Sequence, residues 1–310
     1  MSRLILPRSL DQKQIETLLH YDPQWLIRKE GDRYEKEIAA VAERIQRLSG
    51  RQLVLISGPS ASGKTTTALK LQQRLRECGR ETHTVSLDNF YQGYGKAPQL
   101  PDGSFDYEAV EALDLPLLER CMQELLASGV TQLPVFDFYT HAPRAERVEL
   151  RISEDSVVIF EGIHALNPLL LQHVSQNNVF KIYINVMSSV RRNGEEVLSQ
   201  RDLRLVRRLL RDARFRNSSP ENTMDMWRQV VRGEDLYLFP YVDTADVTFD
   251  TTHAYEPAML GALVLPLLDE VPAESRFFET AELLKNALST FKGVSETLLP
   301  EKALLREFVG

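Results

Sequence analysis

Cysteine is almost missing from this chain of 310 residues: Cys78 and Cys121 are the only two. So few thiols suit a reducing compartment and exclude a metal cluster built on cysteine. Long apolar runs are missing too. Stretches such as Val157 to Phe160 are strand-sized, far short of the ~20 residues a membrane-spanning helix requires. There is no excess of positive charge. With 37 basic against 44 acidic side chains the formal net charge is −7, which argues against a dedicated nucleic-acid binder. An anionic ligand would therefore need a local basic patch. No segment repeats at a fixed period, and no linker is long enough to force a domain boundary. The first residues carry one early arginine and a brief Leu-Ile-Leu stretch stopped by Pro7, which speaks against a signal peptide. The expectation is a cytoplasmic protein with no membrane or nucleic-acid partner. Oligomeric state, a homo-oligomer included, stays open.

What is present is an alternation of short apolar runs and helical periodicities. Residues 1–32 resist assignment. Ile38, Val41, Ile45 and Leu48 recur at helical spacing before Ser49-Gly50. Leu53 to Ile56 reads as a buried strand, Thr67 to Cys78 as a helix, and Thr82 to Leu87 as a strand running into Asp88. Residues 91–105 look like a Gly- and Pro-rich loop, and Leu113 to Leu126 is helical. Leu133–Tyr139 and Arg147–Ile152 look like a hairpin. Val157–Phe160, Phe180–Val186 and Val247–Phe249 are further strands, with helices over 202–216 and about 221–232. Strands alternating with helices predict an α/β fold with a doubly wound parallel sheet. We expect an N-terminal helical extension (1–49), a main domain (50–270) with a hairpin near 133–152 and a lid near 191–232, and a packed helical appendage (271–310).

The segment GPSASGKT at 58–65 satisfies G-x-x-x-x-G-K-[ST] between a strand and a helix. A random chain of this length shows that pattern roughly once in a hundred, before the strand-loop-helix context is required. Gly58 and Gly63 let the backbone turn its N–H groups inward onto phosphate oxygens, and the following helix adds the positive end of its dipole. Lys64 would neutralise the β- and γ-phosphates, and Thr65 would ligate Mg²⁺. Ser60, Ala61, Ser62 and Thr66 complete the candidate cradle for ATP. A cradle alone specifies a nucleotide, not what is done with it.

Asp88 ends the second strand, where an acid can take the proton of an attacking hydroxyl; its plainer role is an Asx turn. Glu161 ends VVIFE, a usual second anchor for Mg²⁺ or else a turn cap. Between Arg191 and Arg216 stand nine arginines against four acids. Arg204, Arg207, Arg208 and Arg211 fall at spacings of three and four, so most should share a side. That suits a phosphate-binding lid, or a solvated face paired with Asp202 and Asp212. SFDYEA and VFDFYTH group Phe105, Phe136, Phe138 and Tyr139 with Asp106, Asp137 and His141: stacking surfaces beside hydrogen-bonding groups, though single rings also suit a core.

Taken in order, GPSASGKTT, LDNFY, SFDYEA, FDFYTH, FEGIHAL and RRLLRD resemble the phosphoribulokinase/uridine kinase family over about residues 50 to 250. The resemblance implies a P-loop NTPase fold with a five-stranded parallel sheet, a nucleoside-holding hairpin, an arginine lid, and ATP- and Mg²⁺-dependent phosphorylation of a nucleoside 5′-hydroxyl. By the same resemblance Asp88 is the catalytic base, Asp106 binds ribose hydroxyls, Glu161 serves Mg²⁺ and His141 reads the base. Arg208 touches the nucleoside, and Arg211 and Arg216 reach the phosphates. Two polar handles of that pattern are replaced, one by Phe136 and one by Met226, and SSVRRNGEEVLSQ is longer than expected. Two other readings stand beside this one: a kinase for another small alcohol, such as a sugar phosphate or a pantothenate-like acid, and a nucleotide-binding regulator.

Overall fold

A computed structural model describes residues 8–310. The stretch around Pro7 that bears on a signal peptide lies outside the described residues. In chain order the elements begin with β1 (Ser9–Asp11), α1 (Gln12–Tyr21), α2 (Pro23–Gln46), β2 (Gln52–Ser57), α3 (Lys64–Glu77), β3 (Thr82–Ser86) and α4 (Leu115–Ala127). There follow β4 (Val130–Asp137), β5 (Ala142–Arg151), β6 (Val157–Glu161), β7 (Val179–Asn185), β8 (Ser189–Arg192) and β9 (Glu195–Leu198). The last group is α5 (Gln200–Arg216), α6 (Pro220–Tyr237), β10 (Val247–Asp250), α7 (Glu256–Leu268), α8 (Phe278–Leu288) and α9 (Arg306–Val309).

The expected sheet is there: five parallel strands in the order β10-β7-β2-β6-β3. Its strands are apolar on both sides because both faces are covered. Val54, Ile56, Val157 and Ile159 point into one core with helices α2, α3, α5, α7 and α8, while Leu53, Leu55, Val158 and Phe160 point into another under α4. Adjacent strands β2 and β6 lie in register, Ile56 opposite Glu161. The carboxyl ends of β2, β3 and β6 thus bring the phosphate loop, Asp88 and Glu161 to one edge, the usual ligand crevice of a parallel sheet.

Several boundaries differ from expectation for identifiable reasons. The helix expected from Arg33 starts at Pro23, with Asp22 capping the Trp25 N–H; the polar run around Gly31 had hidden its first turns. The hairpin strands are β4 and β5, joined through residues 138–141. Most of β5 is exposed on both faces, so it lacks the period-2 signal of a half-buried strand. The segment beginning at Arg191 is not part of a helical lid: β8 and β9 form a hairpin, and β1 joins it in parallel. Arg192 there bonds Gln12 and Thr290, away from the phosphate loop. Residues 271–310 pack into the same core as β2 and β7 through Leu284, Leu288, Leu304, Leu305 and Phe308.

Candidate active site

The phosphate loop is held open by glycine at two places. A Cβ on Gly58 would lie 2.3 Å from the carbonyl oxygen of Ile184, and Gly63 has φ +89°. Lys64 donates to the carbonyls of Gly58 and Pro59, both at 2.9 Å, which keeps the ammonium curled over the loop. Burial pulls its pKa below the ordinary lysine value, with Glu161 and Asp88 opposing. Thr65 Oγ1 lies 3.5 Å from Glu161 Oε1, a pair of hard oxygen donors. Such a pair suits Mg²⁺, which takes one or two protein oxygens and completes its shell with phosphate and water. No cluster of three or more His, Cys, Asp or Glu side chains that could hold a metal occurs among the described residues.

Asp88 follows β3 and opens into a cavity of about 230 Å³ lined also by Ser60, Ser62, Gly63, Lys64, Thr65 and Glu161. Protein walls on its other sides push its carboxyl above the usual aspartate range, with Lys64 and Arg216 opposing. Burial raises Glu161 in the same way, again against Lys64. A carboxyl raised in this manner, beside a phosphate loop, is suited to accept a proton from an alcohol.

The arginine-rich helix α5 divides its arginines. Arg208, Arg211 and Arg216 line the cavity, all gathered by Asp212: Arg208 Nε and Arg211 Nε each donate at 3.1 Å, and Arg216 lies 3.3 Å away. Arg204 and Arg207 do not join them. Arg204 forms a two-pronged pair with Glu234 at 2.7 and 2.8 Å, and Arg207 pairs with Glu256 at 2.8 Å. All four of these side chains are essentially inaccessible. The expectation of one shared phosphate-facing side fails because α5 is covered by α6, α7 and α9, so two of its arginines become bolts between helices. Arg204 also donates to the carbonyl of Ser60, and Glu234 accepts the Ser60 N–H, so this bolt holds the phosphate loop from behind.

The hairpin supplies a second, apolar cavity of about 390 Å³, lined by Tyr91, Gly93, Tyr94, Tyr107, Phe136, Phe138 and His141. Phe136 and Phe138 meet edge to face at 5.2 Å, and Tyr91 reaches Phe136 at 5.9 Å. Phe138 is 60% exposed, a ring presented to the cavity with little protein against it. Phe105 packs behind Tyr94 and Tyr107, and Tyr139 points to solvent. Asp137 caps the hairpin turn by accepting the Tyr139 and Thr140 N–H groups, and it pairs with Arg144. His141 sits at φ +52° in that turn. Asp106 is 5% exposed and accepts from Tyr237 at 2.9 Å and Arg232 at 3.1 Å.

Sequence reasoning did not single out Tyr91, Tyr94, Tyr107, Glu108, Glu234 or Glu307. The tyrosines stand in or beside a loop where no periodicity marks them. Glu307, on α9, lines the phosphate cavity and accepts the Thr66 hydroxyl at 2.6 Å, while Leu304 packs on Gly63. Among the described residues this carboxylate has no ion pair. It stands at the positive end of α3, where a nucleotide phosphate would compete for the same hydroxyl. Glu307→Gln is therefore expected to tighten ATP binding by roughly two- to fivefold, the effect of about 0.5–1 kcal/mol of charge at a helix N-terminus. Calorimetric titration of both forms reads it; weaker binding in the variant would show that the carboxylate assists the nucleotide.

Parallel strands, a glycine-cradled lysine, and two carboxylates facing it across one cavity define a P-loop phosphotransferase. The model of the Phosphoribulokinase / Uridine kinase family matches residues 53–256, two thirds of the chain, and the chain belongs to that family. It is thus an ATP-dependent kinase. Relatives include a uridine kinase of Mycoplasma genitalium, 32% identical over 58% of this chain and 75% of its own length. Another is a uridine kinase of Chloroflexus aurantiacus, 30% identical over 64% of this chain and 85% of its own. A solved structure described as a possible uridine kinase from Bacillus stearothermophilus is 21% identical, with a TM-score of 0.49, over 69% of this chain and 98% of its own. Among the described residues no helix is long and apolar enough to cross a membrane.

Proposed function

We propose that the protein transfers the γ-phosphoryl group of ATP to the 5′-hydroxyl of a nucleoside, of uridine or cytidine type. The observation that carries this is the aromatic cavity beside Asp88. Its lining stacks flat rings and includes no lysine or arginine, while Arg144 is taken by Asp137. A ring of π-character fits such a wall; a sugar phosphate would leave its charge unpaired there.

In this reading the amides of Gly58, Ala61 and residues 63–66, with Lys64, hold the triphosphate, while the Ser60 and Ser62 amides are spent on Glu234 and Pro59; Thr65 and Glu161 would hold Mg²⁺, which would neutralise charge on the phosphate oxygens. Asp88 accepts the hydroxyl proton as the oxygen attacks phosphorus, and ADP leaves with the bridging oxygen. Arg211 and Arg216, aligned by Asp212, offset the charge spreading over the transferred group. Phe136, Phe138 and His141 hold the base. Arg208, which lines the phosphate cavity, and Asp106 serve the sugar hydroxyls in this reading, Asp106 by exchanging its Tyr237 or Arg232 partner for them. Uridine kinase relatives support the same substrate class.

The test is single-turnover transfer from γ-labelled ATP, with Mg²⁺, to a panel of nucleosides, sugar phosphates and pantothenate. Label is expected on a pyrimidine ribonucleoside 5′-hydroxyl. Label on another alcohol would overturn the substrate and keep the chemistry, and hydrolysis alone across the panel would overturn both.

A further inference from the structure

We propose that Phe215, near the end of α5, is the surface on which the donor nucleotide lays its purine ring; this rests on ATP as donor and on Asp88 at the γ-phosphate, not on any choice of acceptor. The phosphate loop lies at the carboxyl end of β2, and its two sides differ. On one side stands Asp88, between Leu87 and Phe90 of the core under α4. On the other stands α9, whose Phe308 packs with Leu304 and Leu305 into the core on the opposite face of the sheet. With the γ-phosphate turned to Asp88 for transfer, the ribose and base of the donor leave the loop on the α9 side, where Glu307 meets Thr66.

That side is closed from beneath. Leu304, Leu305 and Phe308 are at most 1% exposed, and the Phe308 ring lies 5.2 Å from the Arg207 guanidinium. A segment seated so firmly leaves no space under it for a base. Arg214 ties the end of α5 to α9 through the Val309 carbonyl, and to the segment before it through Glu296 at 2.9 Å. The base therefore passes over the outside of α9, along the last turn of α5.

Phe215 stands in that turn. It follows Arg208 by seven residues and Arg211 by four, so it continues the side of α5 that lines the phosphate cavity. Leu203, Leu205, Val206, Leu209 and Leu210 of the same helix are buried, whereas Phe215 is 57% exposed. Gly310, which has no side chain, lies at the edge of the ring, where a Cβ would stand 3.4 Å from Cζ. The other exposed rings among the described residues stand on α1, on α2 or about the aromatic cavity and its hairpin. A flat apolar face beside guanidinium groups is the complement of a base joined to phosphates: the ring stacks, and Arg211 and Arg216 meet the oxygens. Stacking reads the face of a base and not its edge, so adenine and guanine are held alike.

The experiment is calorimetric titration, with Mg²⁺ present and no acceptor, of ATP, GTP and inorganic tripolyphosphate into the wild type, Phe215→Ala and Phe215→Trp. The side chain lies outside the core, so both variants should keep the wild-type fold. Phe215→Ala is expected to weaken ATP and GTP alike, by roughly 5- to 100-fold, the effect of removing one aromatic from under a base. Tripolyphosphate, which has no ring, should bind all three proteins equally, and Phe215→Trp should hold ATP at least as tightly as the wild type. Unchanged ATP affinity in Phe215→Ala would overturn the proposal. So would an equal loss for tripolyphosphate, which would trace the effect to the neighbouring arginines. With no acceptor in the cell, either result leaves the nucleoside reading untouched.

Discussion

Asp88→Asn is expected to lower turnover by about 10²–10⁴ while the protein stays folded and binds ATP, because the amide keeps the shape and loses the proton acceptor. The thermal midpoint should be unchanged or slightly higher. The Asp88 carboxyl is raised in the fold, chiefly by desolvation. A carboxyl that binds its proton more tightly folded than unfolded favours the fold at low pH, and that contribution is lost as pH rises through the folded value. At neutral pH the ionised side chain is therefore no asset to stability, and its removal costs none. The same shift places the acid limb of the wild-type kcat/KM profile above the ordinary aspartate value. Stopped-flow transfer across pH, with calorimetric unfolding of both forms, reads all of this. Retained turnover in a folded variant would take the base role away from Asp88.

Arg204→Ala should act on the opposite property. Arg204 and Glu234 are both closed to solvent and bonded at two points, with the Arg204 guanidinium 5.0 Å over the Trp227 ring. Removing one partner strands a buried charge, a loss of about 3–5 kcal/mol. For a chain of this size the midpoint should drop by on the order of 10 °C. Because Glu234 also accepts the Ser60 N–H, the phosphate loop loses definition with it, and ATP protection against unfolding should shrink. The double variant Arg204→Met, Glu234→Gln should recover most of the stability, since neither charge remains. Chemical denaturation of the three proteins measures the difference. An Arg204→Ala protein with an unaltered midpoint and lost transfer would return this arginine to the phosphate side.

These two residues also mark where sequence is informative. The phosphate loop was legible because its backbone path admits few residue types: Gly63 at φ +89° and a lysine that must reach back to Gly58 leave a recognisable string. Asp88 and Glu161 were legible as acids at the ends of apolar strands. Arg204 and Arg208 were not separable, since spacings of three and four say that side chains share a helix face and not which helix will cover them. Glu307 was out of reach for a related reason. Its significance comes from Thr66, far off in the chain, and no local pattern encodes such a meeting. Tyr91 and Tyr94 were hidden by the loop that carries them, where glycine and proline remove any period.

The meeting of Thr66 with Glu307 spans 241 positions of chain, and Leu304 closes on Gly63 over the same interval. At synthesis rates of about 5–20 residues per second, the loop emerges roughly 10–50 s before its last wall. Throughout that interval the apolar underside of Gly63 and the ring partner of Arg207, supplied by Phe308, are missing. A nascent or prematurely ended chain lacking residue 304 onward therefore carries the whole phosphate motif without the finished site. Its grip on nucleotide becomes a readout of whether translation went far enough.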